Sequence, residues 1–499
     1  MTRSYDAFGR LARVEDSASG IFAFEYDLAA RLLSVVGPNG TIKYTRDQFG
    51  RVKTRQVVGG PVVTYTYDAV GNVASASMPV ASASMPAASV AYSYDALNRF
   101  SGLARGNGVD TVYSYDDAGR LLSIVHRRGA ATLLALTYTY DSAGQRISAQ
   151  TTSGSPLATQ AANATYDGAN RLLQRGSSTY AHDENGNLTT ESTSESTTTY
   201  RWDGRNRLKS VNNGEQTTSF TYDFGGNLIA QADSGAGLNL TKRFVLDKLT
   251  NVAHQAASDG TAYSVLSGQS IDSHVAVASS NGQIEYGIAD AINSTIATVD
   301  QSGGLISQVQ YEPFAASIPS TAGFPFLYTG RTSTLSGLYY YRSRFYSSVP
   351  GRFVSEDAVF SSQSPYVYAG NQPASLVDPL GLESDEPFDA TQPLPTTLSE
   401  NPNPYAGRVL SNWIKNIIAD KIEGFLTGKL IDDPLNNVFN PEGNPIYKKG
   451  LEQIGDLVKK YPPLQDLIKK LRPNPFKENA EEERAKYQKN RQLCRLLNL

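Results

Sequence analysis

The side chains that most often perform catalysis or bind metals are unevenly distributed along this chain of 499 residues. The single cysteine, Cys494, lies near the carboxyl end, so the chain cannot form an internal disulfide and folding does not require an oxidising compartment. The four histidines all lie before residue 300: His126, His182, His254 and His274. The carboxyl-terminal segment therefore lacks the histidine that an HNH-type metal nuclease or a Cys-His nucleophilic pair would need.

Two short patterns near the carboxyl end are candidates for a phosphate site and a cation site. Residues 424–429 superficially resemble a P-loop, but only three residues separate the glycines and Leu430 occupies the position of the required Ser or Thr. We therefore reject a P-loop. Asp432, Asp433 and Glu442 could bind a divalent ion, although a solvated loop explains these residues more simply. No cofactor and no metal is assigned from the sequence.

The elements that must position any functional side chain are predicted to be short β-strands. The sequence contains 29 tyrosines and 42 glycines, a composition typical of many short strands joined by tight turns. A formal net charge of -3 gives no general signal for polyanion binding, so no DNA binding is assigned. The first residues lack a signal-peptide pattern, and no apolar stretch approaches the roughly 20 residues of a membrane-spanning helix.

A motif written Tyr-Asp-x-x-Gly-Arg-Leu recurs about every twenty residues along the first half of the chain. Eight clear and three degenerate copies are marked by their aspartates: Asp6, Asp27, Asp47, Asp68, Asp95, Asp116, Asp141, Asp167, Asp183, Asp203 and Asp223. Alternating residues such as Tyr65 and Tyr67 share one face of a strand, and the aspartate and glycine favour a turn. Each copy therefore predicts a hairpin that stacks beside the next. Residues 74–89 interrupt the period and are predicted to be an exposed insertion.

This motif resembles the YD repeat of bacterial RHS proteins, of the C components of Tc insecticidal toxins and of animal teneurins. The resemblance covers roughly residues 1–382. It implies a mainly β fold, in which stacked hairpins form a spiralling β-shell around a toxic carboxyl-terminal domain. The chain begins within the repeat pattern and is shorter than complete shells of the family, which predicts an incomplete shell. A truncated gene, an orphan cassette or an assembly with other shell-forming chains would each explain this.

A denser pattern follows the repeats and resembles the RHS repeat-associated core. Its parts are Gly-Leu-Tyr-Tyr-Tyr-Arg-Ser-Arg-Phe-Tyr at 337–346, Gly-Arg-Phe-Val-Ser-Glu-Asp at 351–357 and Val-Asp-Pro-Leu-Gly-Leu at 377–382. This pattern is far more specific than any individual YD repeat. The sequence departs from the family at two places: residues 347–348 are Ser-Ser in place of the common Asp-Pro, and Ala358 stands where proline is usual.

The resemblance to this core implies self-cleavage of the bond between Leu382 and Glu383 by an aspartyl-type protease. Asp357 and Asp378 match the family's two catalytic carboxylates. Two such groups can share a proton, because one activates water while its protonated partner polarises the carbonyl. Arg352 could keep one carboxylate ionised or orient it. The residues themselves also fit a structural interpretation, in which Asp-Pro starts a turn and Gly-Arg-Phe closes a hairpin.

The composition changes after residue 382, where lysine rises from five copies in the first 382 residues to twelve in the remaining 117. Residues 383–400 contain acidic residues and prolines but no Lys or Arg, which predicts an acidic linker. Residues 401–499 carry 17 basic and 12 acidic residues, with apolar residues at helical spacing. The predicted domains are therefore repeats at 1–239, a core at 240–382, the linker, and a small α-helical effector tail.

These features predict an RHS-type polymorphic toxin component that cleaves itself after Leu382 and carries or releases an effector against competitor or host cells. The resemblance implies an immunity protein for the tail and a secretion or delivery machinery. Synthesis in the cytoplasm and export by a specialised system, without a cleavable signal peptide, are expected. The alternatives are a cell-surface adhesion or carbohydrate-binding protein that uses the same repeats, and a truncated cassette without function.

Overall fold

The computed structural model of this chain describes residues 1–80, 87–152, 162–315, 323–358 and 365–382. The predicted linker and helical tail lie outside these residues. The described part consists of β-strands, turns and two 3-10 helices, Tyr328–Gly330 and Ala369–Asn371. No helix in it has the length and apolar character needed to cross a bilayer. The prediction of a mainly β fold is therefore confirmed for the described residues.

The first sheet is a 14-stranded antiparallel meander, in which each strand pairs with its neighbours in sequence. Its strands are β1 (Thr2–Tyr5), β2 (Leu11–Asp16), β3 (Gly20–Tyr26), β4 (Leu32–Gly37), β5 (Gly40–Arg46), β6 (Val52–Val57), β7 (Val62–Tyr67), β8 (Val73–Met78), β9 (Ala88–Tyr94), β10 (Phe100–Arg105), β11 (Val109–Tyr115), β12 (Leu121–Arg128), β13 (Ala131–Tyr140) and β14 (Arg146–Thr151). Successive turns of a meander alternate between the two ends of its strands. The motif turns follow the odd-numbered strands of this sheet, so they all lie at the same end of the strands.

The second sheet is a 15-stranded meander of the same kind. Its strands are β15 (Ala164–Tyr166), β16 (Leu172–Arg175), β17 (Ser178–His182), β18 (Leu188–Ser192), β19 (Thr197–Trp202), β20 (Leu208–Asn212), β21 (Gln216–Tyr222), β22 (Leu228–Gly235), β23 (Leu238–Leu246), β24 (Val252–Ala257), β25 (Ala262–Ser267), β26 (His274–Ser279), β27 (Ile284–Ala289), β28 (Thr295–Asp300) and β29 (Leu305–Gln308). Strand β23 spans the position at which the sequence analysis divided repeats from core. Within the described residues, neither large sheet closes on itself.

A third, three-stranded sheet belongs to the core, and its strands are β30 (Leu338–Tyr341), β31 (Arg344–Ser347) and β32 (Arg352–Phe353). Buried rings surround it. Tyr341, Tyr346, Phe353 and Tyr368 contact one another with ring centroids 4.7 to 6.0 Å apart, mostly edge to face. Aromatic pairs at these distances add to the stability that burial provides. The part of the core around β30–β32 is therefore a compact aromatic cluster, whereas residues 240–308 continue the second sheet.

The motif forms its hairpin through contacts within five residues. The carboxylate of Asp47 accepts hydrogen bonds from the amides of Phe49 and Arg51, at 3.0 and 2.9 Å. Its other oxygen accepts a bond from Arg51 Nε at 2.7 Å. Gly50 has φ +82°, a left-handed conformation that glycine adopts without steric cost. The predicted Asx-type turn followed by a left-handed glycine is confirmed.

The motif also attaches each hairpin to the next. The Arg51 guanidinium carbon lies 4.1 Å from the ring centroid of Tyr67, whose hydroxyl donates a 2.6 Å hydrogen bond to the Val52 carbonyl. Equivalent hydroxyl-to-carbonyl bonds join Tyr26 to Leu11, Tyr94 to Val73, Tyr115 to Phe100, Tyr140 to Leu121 and Tyr222 to Leu208. The sequence repeats this set of side chains because they close one turn and hold the following hairpin.

The two large sheets meet in one apolar core, to which both contribute buried residues. Polar contacts cross the same interface, where the buried Arg55 pairs with Asp247 at 3.2 Å. Met78 and Ala88 belong to this apolar cluster between the two large sheets and are fully buried. The interpretation of residues 74–89 as an exposed insertion is therefore wrong at both of its ends, where alternating small residues form β8 and the start of β9.

Candidate functional site

The two aspartates that the sequence analysis selected contact the same arginine. Arg344, the first residue of β31, places its Nη2 atom 3.0 Å from Asp357 Oδ2 and 3.4 Å from Asp378 Oδ2. All three residues are buried, with exposures of 5%, 6% and 2% respectively. The fold thus brings together two carboxyl groups from separate loops, as the hypothesis of a catalytic pair requires.

Strand β31 holds Arg344 in a water-poor environment. Its guanidinium carbon lies 3.7 Å from the ring centroid of Phe353 in the neighbouring strand β32. Burial lowers the pKa of Arg344, and the carboxylates of Asp357 and Asp378 counteract part of that decrease. Because arginine remains protonated in proteins, one positive charge faces two carboxyl groups here.

Asp378 also contacts the backbone beside the predicted cleavage point. The amide of Leu382 donates a 3.0 Å hydrogen bond to Asp378 Oδ1. Gly381 has φ +65°, and a Cβ atom at that position would lie 2.4 Å from the Tyr341 carbonyl oxygen. The turn at residues 378–382 thus depends on glycine for both its conformation and its space. Glu383, on the far side of the predicted scissile bond, lies outside the described residues.

Three arginines bind the backbone of this turn. Arg331 and Arg342 both donate to the carbonyl of Pro379, the latter at 2.7 Å, and Arg344 Nε donates to the carbonyl of Gly381. A guanidinium has several donors in one plane, so it can bind backbone carbonyls while it also pairs with a carboxylate. The end of the core is therefore fixed against the third sheet.

A third buried carboxylate supports these arginines. Asp272 pairs with both Arg331 and Arg342, the latter at 2.9 Å, and Arg342 also donates to Asn251 Oδ1 at 3.0 Å. Burial alone would raise the pKa of Asp272, but the two guanidinium groups lower it overall. Burial lowers the pKa of Arg331 to about 10. Sequence reasoning identified none of these residues.

Arg352 lies in a different environment from the one that the sequence analysis considered. Its guanidinium donates to the backbone oxygen of Asn170 at 2.8 Å and stacks 4.8 Å from the ring centroid of Tyr166. The arginine in contact with both aspartates is Arg344. The available signal was the pair of arginines at 342 and 344 within an aromatic, strand-like run, because buried charges require buried partners.

No cluster of three or more His, Cys, Asp or Glu side chains with metal-binding geometry occurs in the part of the chain that the structure describes. The cation candidate formed by Asp432, Asp433 and Glu442 lies outside it.

Comparison with known proteins identifies the family. The family model described as Teneurin YD-shell matches residues 90–371, which is more than half of the chain. The repeated hairpins and the aromatic cluster after them agree with this match, because all three indicate a YD-repeat shell. The chain belongs to the RHS/YD-repeat family.

Individual relatives match shorter parts. Toxin subunit YenC1 of Yersinia entomophaga is 32% identical over 111 residues, 20% of this chain and 11% of that protein. Salivary gland surface protein 1 of Aedes aegypti is 35% identical over 100 residues, 19% of this chain and 3% of that protein. The chain thus spans only a small part of these curated relatives.

Solved structures share the fold. TcdB2-TccC3 matches with a TM-score of 0.58 and 19% identity over 75% of this chain and 25% of that one. A Tc holotoxin pore of Photorhabdus luminescens matches with the same TM-score and identity over 77% of this chain and 24% of that one. The chain therefore spans about a quarter of these structures' length, and at this identity the likeness concerns the fold.

Proposed function

We propose that this RHS-type shell component cleaves its own chain between Leu382 and Glu383. The observation that carries the proposal is the position of Asp378, whose carboxyl group shares Arg344 with Asp357 and accepts the amide hydrogen of Leu382. A carboxyl group that contacts both its partner's counter-ion and the backbone of the residue before the bond is suitably placed to act on that bond.

In the proposed reaction, one carboxylate removes a proton from water, which attacks the carbonyl carbon of Leu382. The protonated partner donates its proton to the carbonyl oxygen. The bond from the Leu382 carbonyl carbon to the Glu383 nitrogen then breaks, the amine leaves with the proton taken from water, and the partner regains its own proton as the new carboxyl group forms. Arg344 contacts both carboxyl groups and thereby holds them close to each other, and repulsion between two carboxylates at close range favours a shared proton. Arg352 is proposed to be a positioning residue. Its hydrogen bond to Asn170 fixes strand β32, which directly precedes the segment that carries Asp357.

Residues 383–499 are proposed to be the effector that the shell carries or releases against competitor or host cells. One of the matched structures is described as TcdB2-TccC3 without its hypervariable C-terminal region, at 20% identity to this chain. In that protein a variable segment thus follows a shell of the same fold. An immunity protein, a delivery machinery that exports the chain after cytoplasmic synthesis, and further shell-forming chains are the proposed partners.

The test of self-cleavage uses the purified full chain and two variants, Asp357→Asn and Asp378→Asn. The wild-type chain should yield a fragment whose first residue is Glu383, identified by intact mass and amino-terminal sequencing, whereas both variants should stay whole. Asp247→Asn is the matched control, since Asp247 is a buried aspartate that pairs with buried Arg55 elsewhere. It should cleave like the wild type. A wild-type chain that stays whole under native conditions would refute the proposal.

Surface adhesion is a second candidate, favoured by the identity to a protein named for a gland surface. The two functions differ in the fate and effect of the tail. Expression of the full chain in bacteria should arrest growth if the tail is an effector, and a neighbouring candidate immunity gene should restore growth. Unaffected growth with well-expressed, cleaved protein would favour adhesion.

A further inference from the structure

A cavity of about 530 Å³ lies between the two large sheets. Strands β9–β14 line it from the first sheet and β26–β27 from the second, with Gln372, Ser375 and Leu376 of the core. Its lining includes none of Asp357, Asp378 and Arg344, so it is separate from the proposed cleavage site. A volume of this size falls within the usual range for small-molecule sites, about 300–1,000 Å³.

One lining residue, Arg105, is a buried cation that forms no ion pair with a described carboxylate. Its exposure is 7%, and its Nη atoms donate to Thr111 Oγ1 at 2.7 Å and to the Gly287 carbonyl at 3.1 Å. Its Nε atom has no partner, and no carboxylate of the described residues lies within 4.0 Å of the guanidinium. Burial of an unpaired charge is unfavourable, so this position favours a bound anion.

Other lining residues add polar groups that carry no charge. The hydroxyls of Tyr92 and Ser270 and the Nδ1 atom of His274 are buried without a hydrogen-bond partner among the described residues. Burial lowers the pKa of His274 to about 3, so its ring is neutral at physiological pH. Unpaired buried polar groups are unfavourable unless a ligand or water satisfies them.

The other two arginines of the lining are less buried. Arg120 pairs with Asp116 at 2.6 Å, and the Arg146 guanidinium lies 5.0 Å from the ring centroid of Tyr138. Arg105 is therefore the buried guanidinium among these three lining arginines, and its single charge fits a monoanion better than a dianionic phosphate. The apolar part of the lining would suit a hydrocarbon body and includes Phe100, Leu121, Ile124, Ile271 and Leu376.

We propose that this cavity binds a carboxylate attached to an aromatic or aliphatic body, with the carboxylate at Arg105. Two sources have this chemistry. One is a free small carboxylic acid. The other is the acidic segment of this chain at 383–400, where Phe388 precedes Asp389 in sequence. The site does not depend on self-cleavage, so either proposal can fail without the other.

The test titrates the full chain with phenylacetate, with 2-phenylethanol as the uncharged analogue and with inorganic phosphate. Calorimetry and thermal unfolding should show saturable binding of phenylacetate, and binding of the other two at least tenfold weaker. Arg105→Met should weaken phenylacetate binding at least tenfold. Equal affinity for phenylacetate and 2-phenylethanol, or unchanged affinity in Arg105→Met, would overturn the proposal.

Two further variants keep the test decisive. Without ligand, Arg105→Met should raise the thermal midpoint because it removes an unpaired buried charge, whereas Arg55→Met should lower it because it leaves Asp247 unpaired. Asp389→Asn identifies the source. Tighter phenylacetate binding in this variant than in the wild type indicates competition by the acidic segment, and equal binding indicates a free carboxylate. Absence of phenylacetate binding in both proteins contradicts the site.

Discussion

The repeat wall and the core use aspartate–arginine pairs in opposite ways. In the wall, Asp47 and Arg51 are four residues apart, and their side chains keep 19% and 16% of their surface exposed. In the core, Arg342 reaches Asp272 across 70 residues, and both side chains are only 8% exposed. A local pair can be repeated along a chain, because it needs nothing beyond its own turn. A buried long-range pair is particular to its place in the fold, and the distant segments that it joins depend on it, as they do on the pair of Arg55 with Asp247 between the two sheets.

This difference predicts that single substitutions will have large effects on the buried pairs of the core and small ones on the motif turns of the wall. Removal of one partner from a buried ion pair leaves an uncompensated charge, whereas a partly exposed pair is solvated once broken. The four experiments that follow test this contrast, from the largest expected effect to the smallest.

Arg342→Met should have the largest effect on stability. The change removes the bonds to Asp272, Asn251 and the Pro379 carbonyl, and it leaves Asp272 with one arginine instead of two. We expect the free energy of unfolding to fall by about 3–5 kcal/mol, measured by urea denaturation. Arg342→Lys keeps the charge without the planar fork and should lose less. A loss under about 1 kcal/mol for Arg342→Met would remove the contrast between core and wall.

Gly381→Ala should cost about 3 kcal/mol of unfolding free energy, because left-handed strain is combined with a backbone clash. Gly119→Ala is the matched control in the wall. Gly119 has φ +84°, and the nearest atom to its added Cβ is Arg99 Nη1 at 3.8 Å. It should therefore cost only about 1 kcal/mol. Gly381→Ala should also slow the proposed cleavage. Equal losses would show that the contact with the Tyr341 carbonyl is unimportant.

The pH dependence of stability should differ in sign between two turns of the same type. Burial raises the pKa of Asp290 to about 6 from 3.8, so the stability that this group contributes is present below about pH 4 and lost as pH rises through 6. Burial would also raise the pKa of Asp47, but hydrogen bonds from Arg51 lower it, so its contribution is lost as pH falls below its usual range.

As pH rises from about 4.5 to about 7.5, the stability of Asp290→Asn relative to the wild type should therefore increase by about 2 kcal/mol. Relative to the wild type, Asp47→Asn should lose stability as pH rises from about 2 to about 5, and the deficit should remain at higher pH. Urea denaturation across this pH range measures both changes. A parallel response of the two variants would mean that burial of Asp290 does not affect its ionisation.

Arg51→Ala should have the smallest effect, a loss of about 1 kcal/mol. The substitution removes the pair with Asp47 and the stacking on Tyr67, but the backbone bonds of the turn remain. Arg51→Lys should recover part of the loss through charge alone. Thermal unfolding at low and high salt provides the measurement, since a partly exposed pair is screened by salt. A loss as large as that of Arg342→Met would contradict the local character of the wall.

The difference between local pairs in the motif turns and long-range pairs in the core also decides how much of the structure could be predicted from the sequence. The motif turn was predictable because its aspartate, glycine and arginine lie within five residues. The turns at Asp247 and Asp290 escaped notice, since Leu246 and Ala289 replace the tyrosine of the motif there, and Asn251 and Ser294 replace its arginine. The aspartates of the core were selected by resemblance. Arg344 was not, because its partners lie 13 and 34 residues further along the chain and only the packed strands bring them close.

The hydroxyl-to-carbonyl bonds between neighbouring hairpins also limit how such a wall can evolve. The bond from Tyr67 to Val52 joins two motif turns that lie at the same end of the strands. Insertion or deletion of a single strand would move every later motif turn to the opposite end of the strands, so the hydroxyl-to-carbonyl bond across the change would be lost. Gene variants of this wall should therefore differ in length by whole hairpins, in steps of about twenty residues, and rarely by an odd number of strands.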